Sequence, residues 1–221
     1  MHRRTLLALL ATSLAAPAFA QDNAATAVDQ MAAPAGPLPL TPEQTDLVNQ
    51  ISAHNSAITS MTGKFLQVDT QGSRIEGVFY LQRPGKIRFR YAPPSHEEII
   101  SIGQGFYVID RAEKTQYAYP QDKVPLRQFL DEKIDLLNAG FVGMADAAGY
   151  VSVMLEDDTP IGTVRVSLVF DKDSQDLVQW VLTDPSGVDL TFSLYDIQKG
   201  VQIPPAYFFL NINDYNRVEP K

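Results

Sequence analysis

The stretch from Ile75 to Tyr91 constrains the fold more than any other part of this chain. Its second half alternates strictly between basic and apolar residues, and its first half keeps the same parity back across Arg83-Pro84-Gly85. Because successive side chains of a strand point to opposite faces, the pattern predicts two strands joined by a turn. One predicted face carries Ile75, Phe79, Leu81, Arg83, Ile87, Phe89 and Tyr91, and the other, cationic and solvated, carries Lys86, Arg88 and Arg90. An arginine in phase with an apolar face is the anomaly that the function must explain.

Short apolar runs separated by turn signals recur along the rest of the chain. Gln71-Gly72-Ser73 and Asp184-Pro185-Ser186-Gly187 are typical turn sequences. Besides the two strands above, the predicted strands cover residues 63–71, 98–102, 106–110, 115–119, 150–156, 163–170, 177–183, 188–194 and 207–210. Strands at intervals of about ten residues with tight turns are typical of an antiparallel sandwich or barrel.

Three segments are predicted to be helical instead. The first, about 41–60, begins where Thr41 and Gln44 can form a capping box and Pro42 suits the first helical position. The second covers about 125–138, where apolar residues share one helical face, and a short third covers 143–147.

The amino-terminal residues predict export. Residues 1–20 combine a charged start, a short apolar core and Ala18-Phe19-Ala20, which is typical of a cleaved secretory signal peptide. Residues 21–40 are rich in alanine and proline and predict a disordered leader, and residues 41–221 are expected to form a single domain. The chain has no cysteine, so we expect neither a lipid anchor nor a disulfide, and the core alone must stabilise the exported protein.

Charge and side-chain chemistry argue against several classes of function. The formal net charge is −8, and removal of Arg3 and Arg4 with the signal peptide takes two positive charges away and leaves −10. Such an acidic protein is a poor partner for nucleic acid or anionic lipid. His54 and His96 are each alone in the sequence, and no G-x-S-x-G motif occurs. We therefore expect no nucleic acid partner, no catalytic site, no metal and no cofactor.

The apolar faces leave two interpretations open. The helices can fill the concave side of the sheet as ordinary core, or they can close over a cavity that holds a hydrophobic ligand. Arg83 also has a simple interpretation, as an arginine at a strand end that pairs with a surface carboxylate. Periodicity places the helices over the same surface whether the core is filled or hollow, so it does not distinguish these two interpretations.

A motif in residues 77–94 is similar to that of a known family. It consists of Gly77, Phe79, Leu81, Arg83 and Pro84, followed by Ile87, Phe89, Tyr91 and Pro93. This motif resembles the signature of the outer-membrane lipoprotein carrier family, LolA, which is G-x-F/L-x-L-x-R-P, a spaced apolar set, an aromatic residue and a proline. The similarity continues through 99–110, 124–126 and 168–180 and around Phe208-Phe209, and it covers roughly 43–215.

The resemblance implies a mainly β fold with an α lid, an incomplete antiparallel β-barrel of about 10–11 strands that covers two or three helices. It also implies a periplasmic chaperone, acting as a monomer. Such a carrier takes acylated lipoproteins from an inner-membrane lipoprotein-releasing ABC transporter and brings them to the outer membrane, to a receptor there if one is present. In the family the arginine of the R-P motif, here Arg83, holds the lid closed by bonding to the backbone of a lid helix.

The resemblance also points to ligand-binding residues. Ile87, Phe89 and Tyr91 match the cavity set, although the family often has a large aromatic residue where this chain has Ile87. The full candidate set for ligand binding is Arg83, Phe65, Phe79, Leu81, Ile87, Phe89, Tyr91 and Phe129. One alternative function is a periplasmic module that senses lipid or lipoprotein without transporting it, and another is a secreted binding protein with a filled core.

Overall fold

The computed structural model describes residues 39–103, 105–124, 127–159 and 162–218. Within these ranges the chain forms one α-helix, α1 (Pro42–Ala57), and twelve strands. The strands are β1 (Ser60–Asp69), β2 (Arg74–Gln82), β3 (Lys86–Tyr91), β4 (Glu97–Ile102), β5 (Gly105–Asp110), β6 (Thr115–Pro120), β7 (Phe141–Ala147), β8 (Tyr150–Thr159), β9 (Gly162–Asp171), β10 (Leu177–Thr183), β11 (Asp189–Lys199) and β12 (Asn216–Arg217). The predicted signal peptide, residues 1–20, and residues 21–38 of the predicted leader lie outside the described residues.

All twelve strands belong to one open sheet. Their order is β12-β6-β5-β4-β3-β2-β1-β11-β10-β9-β8-β7. Neighbouring strands are antiparallel except β12, which lies parallel to β6. The sheet ends at β12 and β7 instead of closing, so the predicted mainly β, incomplete antiparallel barrel is confirmed, with twelve strands and a single α-helix in the described ranges.

The sheet is strongly curved. β3 and β10 are four positions apart in the strand order, which on a flat sheet would separate them by about 19 Å. The ring centroids of Phe89 on β3 and Trp180 on β10 are nevertheless only 5.8 Å apart. The sheet therefore bends over on itself, and side chains from distant strands meet on its inner face.

The stretch from Ile75 to Tyr91 folds as predicted and forms β2, a turn at Arg83-Pro84-Gly85, and β3. The predicted apolar face points inward, and its members Phe79, Leu81, Phe89 and Tyr91 are buried. Gly77 is needed here because a Cβ at this position would lie 2.3 Å from the Arg90 carbonyl oxygen and 2.4 Å from the Phe65 ring.

The outer face of β3 differs from the predicted solvated surface. Arg88, Arg90 and Arg111 all pair with the carboxylate of Glu98, whose side chain is fully buried. Arg88 also donates from Nη1 to the Tyr207 carbonyl at 2.8 Å, so the C-terminal segment covers part of this face. Buried charges need such pairing, and three guanidinium groups satisfy the single carboxylate.

Helix α1 begins with the predicted capping box. The Gln44 amide donates to Thr41 Oγ1 at 3.2 Å, and the Thr41 amide donates to Gln44 Oε1 at 2.9 Å. Val48 and Ile51 are buried against the inner face of the sheet. The helix ends at Ala57 because the next residues turn into extended conformation and enter β1.

The helix predicted over 125–138 is wrong in the part that the structure describes. Residues 127–138, here called the crossing segment, form only three-ten turns, at Arg127–Leu130 and Leu136–Asn138. The segment still buries Phe129, Leu130 and Ile134 of its predicted apolar face on the inner side of the sheet.

The backbone partners of the crossing segment explain why it is not an α-helix. In an α-helix the Ile134 amide would donate to the Leu130 carbonyl. Here the Ile134 amide donates to Ser56 Oγ of α1 at 2.8 Å. The Leu130 carbonyl accepts from the Gly85 amide at 2.7 Å. Since tertiary partners already satisfy these groups, the segment gains little from helical hydrogen bonds.

Two further predictions are wrong. Residues 143–147, predicted as a short helix, belong to strand β7, which pairs with β8 through a hairpin at Ala148-Gly149. Both turn residues have positive φ, 52° and 82°, as a two-residue hairpin of this type requires. Residues 207–210, predicted as a strand, include the end of the three-ten turn Pro205–Phe208 instead.

Candidate ligand-binding cavity

The inner face of the sheet encloses a cavity of about 950 Å³. Binding sites for small molecules typically measure about 300–1,000 Å³, so this cavity is at the upper end of that range. Its lining includes Met61, Leu81, Phe106, Phe129, Leu130, Val164, Leu177, Leu182 and Leu194. The concave side of the sheet is therefore hollow and is not completely filled by core side chains.

Aromatic rings form a continuous part of the cavity wall. Trp180 and Phe192 are stacked, with ring centroids 4.9 Å apart and an interplanar angle of 13°. Phe89 lies 6.0 Å from Phe192 and 5.9 Å from Phe79. Packed aromatic pairs of this kind stabilise each other beyond their buried area. The wall is therefore a rigid apolar surface contributed by both halves of the curved sheet.

The structure brings most of the predicted site residues together. Six of the eight line the cavity: Phe79, Leu81, Ile87, Phe89, Tyr91 and Phe129. Phe65 lies behind them, fully buried, with its ring edge-on to Phe89 and to Tyr91 at 5.1 Å each. Arg83 is also outside the lining and occupies the end of β2, beside Phe129.

Arg83 links the two elements that cover the inner face. Its Nη1 donates to the carbonyl of Ile58, the residue that caps the C-terminus of α1. Its Nε donates to the Phe129 carbonyl in the crossing segment at 3.0 Å. A cation at a helix C-terminus also interacts favourably with the helix dipole. One guanidinium therefore joins α1, the end of β2 and the crossing segment.

The surroundings of Arg83 are apolar. The residue is only 8 % exposed, and its guanidinium carbon lies 4.7 Å from the centre of the Phe129 ring. Burial lowers the pKa of Arg83 to about 10, so the side chain stays charged at neutral pH. Its Nη2 has no hydrogen-bond partner among the described residues. The partners of Arg83 in these ranges are backbone carbonyls, and the interpretation as an arginine paired with a surface carboxylate is wrong.

The second wall of the cavity, which β11 contributes, was not predicted from the sequence. Leu190, Phe192 and Leu194 alternate along β11, and this was a usable signal that they share one face. What the sequence did not show is that β11 pairs with β1, which places these side chains opposite β3. Gln67 was missed as well, because a single glutamine within a strand gives no signal of its own.

The described residues meet the requirements of neither a metal site nor a membrane-spanning helix. In residues 39–103, 105–124, 127–159 and 162–218, histidine and acidic side chains nowhere gather in threes in an arrangement that could hold a metal ion. No helix in the same ranges combines the length and the hydropathy that crossing a bilayer requires.

Comparison with protein families bears directly on this geometry. The family model described as outer membrane lipoprotein carrier protein LolA matches residues 56–211. The chain belongs to the LolA family. The matched residues include both walls of the cavity, Arg83 and the crossing segment. The similarity to the LolA family is therefore not confined to the R-P motif but covers the whole site.

Two curated relatives carry the name outer-membrane lipoprotein carrier protein. The protein from Bordetella avium (strain 197N) is 29% identical over 161 residues, which are 71% of this chain and 66% of the relative. The protein from Alkalilimnicola ehrlichii (strain ATCC BAA-1101 / DSM 17681 / MLHE-1) is 32% identical over 79 residues, 34% of this chain and 37% of the relative. The chain thus spans between about a third and two thirds of the length of these relatives.

Solved structures give weaker likenesses. A putative outer-membrane lipoprotein-sorting protein domain from Vibrio parahaemolyticus is 9% identical, with a TM-score of 0.46, over 76% of this chain and 96% of that one. A LolA-superfamily protein from Nitrosomonas europaea is 10% identical, with a TM-score of 0.40, over 74% and 98%. The MucA/MucB complex of Pseudomonas aeruginosa is 15% identical, with a TM-score of 0.43, over 79% and 62%.

Proposed function

We propose that this protein is a periplasmic lipoprotein chaperone. It binds the acyl chains of lipoproteins in the cavity and carries them from an inner-membrane ABC transporter to the outer membrane. The observation that carries this proposal is an apolar cavity of about 950 Å³ in a chain that belongs to the LolA family. The role is one of binding and transfer, without a chemical step.

The energetics of acyl chains explain why such a carrier needs a closed cavity. Burial of an acyl chain is worth about 0.8 kcal/mol per methylene, so a chain of about 16 carbons gains on the order of 13 kcal/mol. A lipoprotein released into water without a carrier would lose this free energy. The aromatic and aliphatic lining of the cavity supplies an apolar surface that replaces the membrane interior.

Release requires that the same cavity can open. Arg83 supports this part of the proposal, since its bonds to Ile58 and Phe129 join α1 to the crossing segment. Hydrogen bonds from a charged donor are worth about 1.5–3 kcal/mol each. Breaking the two hydrogen bonds of Arg83 therefore costs much less free energy than the burial of an acyl chain contributes. A lid formed by α1 and the crossing segment can then open when cargo arrives and close again after delivery.

The direct test is a transfer assay with the purified protein. We expect it to extract a fluorescently labelled lipoprotein from inner-membrane vesicles that contain the cognate transporter, in a reaction that depends on ATP. Binding of acyl probes without extraction would contradict the carrier role and leave a sensing module. Failure to bind any acyl probe would contradict ligand binding as a whole.

The role of Arg83 has its own test in the same assay. We expect Arg83→Leu to fold but to hold or release cargo abnormally, because the leucine cannot bond the two carbonyls. Arg83→Lys is the matched control that keeps the charge but cannot reach both acceptors, and we expect an intermediate defect. Normal transfer by Arg83→Leu would show that this arginine does not act as the latch.

A further inference from the structure

Within the apolar cavity, one hydrogen-bonded polar pair stands out. The hydroxyl of Tyr91 donates to Oε1 of Gln67, and both side chains belong to the lining. Tyr91 is only 6 % exposed, and its ring packs edge-on against Phe65 at a centroid distance of 5.1 Å. The tyrosine is therefore fixed in place, and its bond fixes the orientation of the glutamine amide.

This pair lies at the end of the cavity opposite Arg83. Tyr91 is the last residue of the six-residue strand β3, and Arg83 lies just before that strand begins. The length of the strand separates them by roughly 17 Å. Gln67 likewise lies near the end of β1, whereas the C-terminus of α1 is next to the start of that strand. Glu97, at the start of β4, and Thr159, at the end of β8, line the cavity at this same end.

The hydrogen bond leaves specific groups unused. A glutamine amide has two N–H donors and one carbonyl, and the carbonyl of Gln67 already accepts from Tyr91. Its Nε2 donors have no protein partner among the described residues, and the Tyr91 oxygen can still accept. What the pair offers to a ligand is thus mainly a donor, in a mainly apolar wall.

We propose that Gln67, oriented by Tyr91, donates a hydrogen bond to the ester or amide carbonyl of the acyl cargo. Carbonyl oxygens are the acceptors that an acylated ligand has next to its alkyl chains. The chains then run from the pair into the cavity toward Arg83, and the head of the ligand stays at the end near Glu97. Gln67 is a specificity-determining residue in this arrangement, which rests on the proposed acyl binding.

Charge at this end favours a neutral carbonyl over a free carboxylate. Burial, with a smaller contribution from the negative charge of Glu97, raises the pKa of Tyr91 far above its ordinary value, so the phenol stays protonated. Glu97 itself lines the cavity and would repel the carboxylate of a free fatty acid. An ester or amide keeps the acceptor and carries no charge.

A displacement assay tests the inference. The uncharged dye 1-N-phenylnaphthylamine is bound to the protein and displaced by methyl laurate or by tetradecane, each delivered from cyclodextrin. One hydrogen bond of ordinary strength predicts that the ratio of ester affinity to alkane affinity is about fivefold larger in the wild type than in a protein without the bond, and this excess is the ester preference that the assay measures. Gln67→Leu should remove this preference, and Tyr91→Phe should reduce it. Gln198→Leu, the same change at an exposed residue of β11 outside the cavity lining, should retain it.

The outcomes separate this inference from the proposed function. If Gln67→Leu leaves the ratio of ester affinity to alkane affinity at its wild-type value, Gln67 does not bind the carbonyl, and acyl binding stands. If neither competitor nor dye binds the wild type, acyl binding fails as well. Circular dichroism shows whether Gln67→Leu folds. If it does not, the same comparison is made with Tyr91→Phe, which should reduce the ester preference.

A second pair of competitors separates the possible sources of the carbonyl. A dipalmitoyl lipopeptide and dipalmitoyl phosphatidylglycerol both carry acyl esters. We expect Gln67→Leu to weaken binding of the lipopeptide about fivefold. Weakening of the phospholipid alone would contradict the assignment of this residue to lipoprotein cargo.

Discussion

Arg127 and Asp157 form a two-pronged ion pair that joins the crossing segment to β8. Nη2 of the arginine donates to Oδ1 of the aspartate at 3.0 Å, and Nη1 donates to Oδ2. Asp157 has the same strand parity as Thr159, which lines the cavity. Two arginine side chains, Arg83 on one side of the cavity and Arg127 on the other, therefore fasten the crossing segment in addition to its bonds with Ser56 and Gly85.

Reversing the charges of this pair tests whether it holds the segment down. We expect Arg127→Asp and Asp157→Arg each to lower the free energy of unfolding by about 1–3 kcal/mol, because each places like charges in contact. Both should also speed the entry of a hydrophobic dye. The double exchange should restore most of both properties. Urea unfolding and stopped-flow dye binding measure the two effects.

The neighbouring pair Glu156 and Arg165 provides a matched control. Its side chains are 35% and 45% exposed, against 19% and 29% for Asp157 and Arg127. Exposed pairs are worth about 0.2–1 kcal/mol, so the same exchange at the control pair should leave dye entry unchanged. Equal effects at both pairs would show that net charge, and not the fastening of the segment, controls entry.

Arg83→Leu should loosen both elements that the arginine joins. We expect amide hydrogen exchange to accelerate about tenfold or more in the last turn of α1 and in the crossing segment, since about 1.4 kcal/mol corresponds to a factor of ten. Exchange in β8 and β9 should stay unchanged, because the hydrogen bonds that Arg83 makes among the described residues go to Ile58 and Phe129. Uniform acceleration across the sheet would instead indicate a general loss of stability.

Asp176 should make the anchoring of α1 sensitive to acid. Its carboxylate accepts from His54 of α1 at 2.7 Å and from Lys199 at 2.8 Å. Burial alone would raise the pKa of Asp176, but the hydrogen bonds from Lys199 and His54 outweigh it and lower that pKa. A carboxyl group whose pKa is lowered by folding stabilises the protein above its unfolded pKa, and this contribution is lost as the pH falls through the folded value.

The comparison of Asp176→Asn with the wild type measures this contribution. At pH 7 we expect the variant to be less stable by up to about 1 kcal/mol, as for other partly exposed pairs. The difference should begin to shrink as the pH falls below about 4, the ordinary pKa of an aspartate, and should continue to shrink as the pH passes through the lowered pKa of the folded carboxylate. Asp173→Asn, at an exposed residue of the same turn, is the control and should show no difference. A gap between Asp176→Asn and wild type that persists at pH 2 would contradict the linkage.

Substitutions at Phe65 and at Leu190 should distinguish effects on the stability of the protein from effects on ligand binding. Phe65 is fully buried behind the cavity wall, so Phe65→Ala should cost about 3–4 kcal/mol of unfolding free energy. Leu190 is half-buried and lines the cavity, so Leu190→Ala should cost about 1 kcal/mol or less and mainly weaken acyl binding. Urea unfolding and dye titration of both variants measure this contrast. Equal losses of stability would mean that Leu190 is part of the core.

Local patterns in the sequence predicted the parts of the fold that depend on neighbours in the chain. Strict alternation fixed the faces of β3, and the Thr41–Gln44 capping box fixed the start of α1. Met144, Ala145 and Ala147 favour a helix, but pairing with β8 overrides that propensity. Helical spacing in the crossing segment was misleading for a similar reason, since the Leu130 carbonyl and the Ile134 amide bond to Gly85 and Ser56 instead of to each other.

The rest of the site depended on contacts between residues far apart in sequence. Arg83 was recognisable as an anomaly, but its acceptors, the carbonyls of Ile58 and Phe129, carry no sequence signal because every residue has a carbonyl. The second cavity wall required the pairing of β1 with β11, which joins the two ends of the domain. Strand order of this kind follows from global packing and not from local periodicity.

Trp180 offers the most direct measurement of the central claim, which is that acyl chains enter this cavity. It is the only tryptophan of the chain, it lines the cavity and it is stacked on Phe192 at 4.9 Å. We expect methyl 9,10-dibromostearate to quench most of its fluorescence at saturation, since a bromine atom must come close to the indole to quench it. Methyl stearate, which displaces the same dye, should leave the emission intensity nearly unchanged. Displacement of the dye by the brominated ester without quenching of Trp180 would place the acyl chain elsewhere and contradict the account.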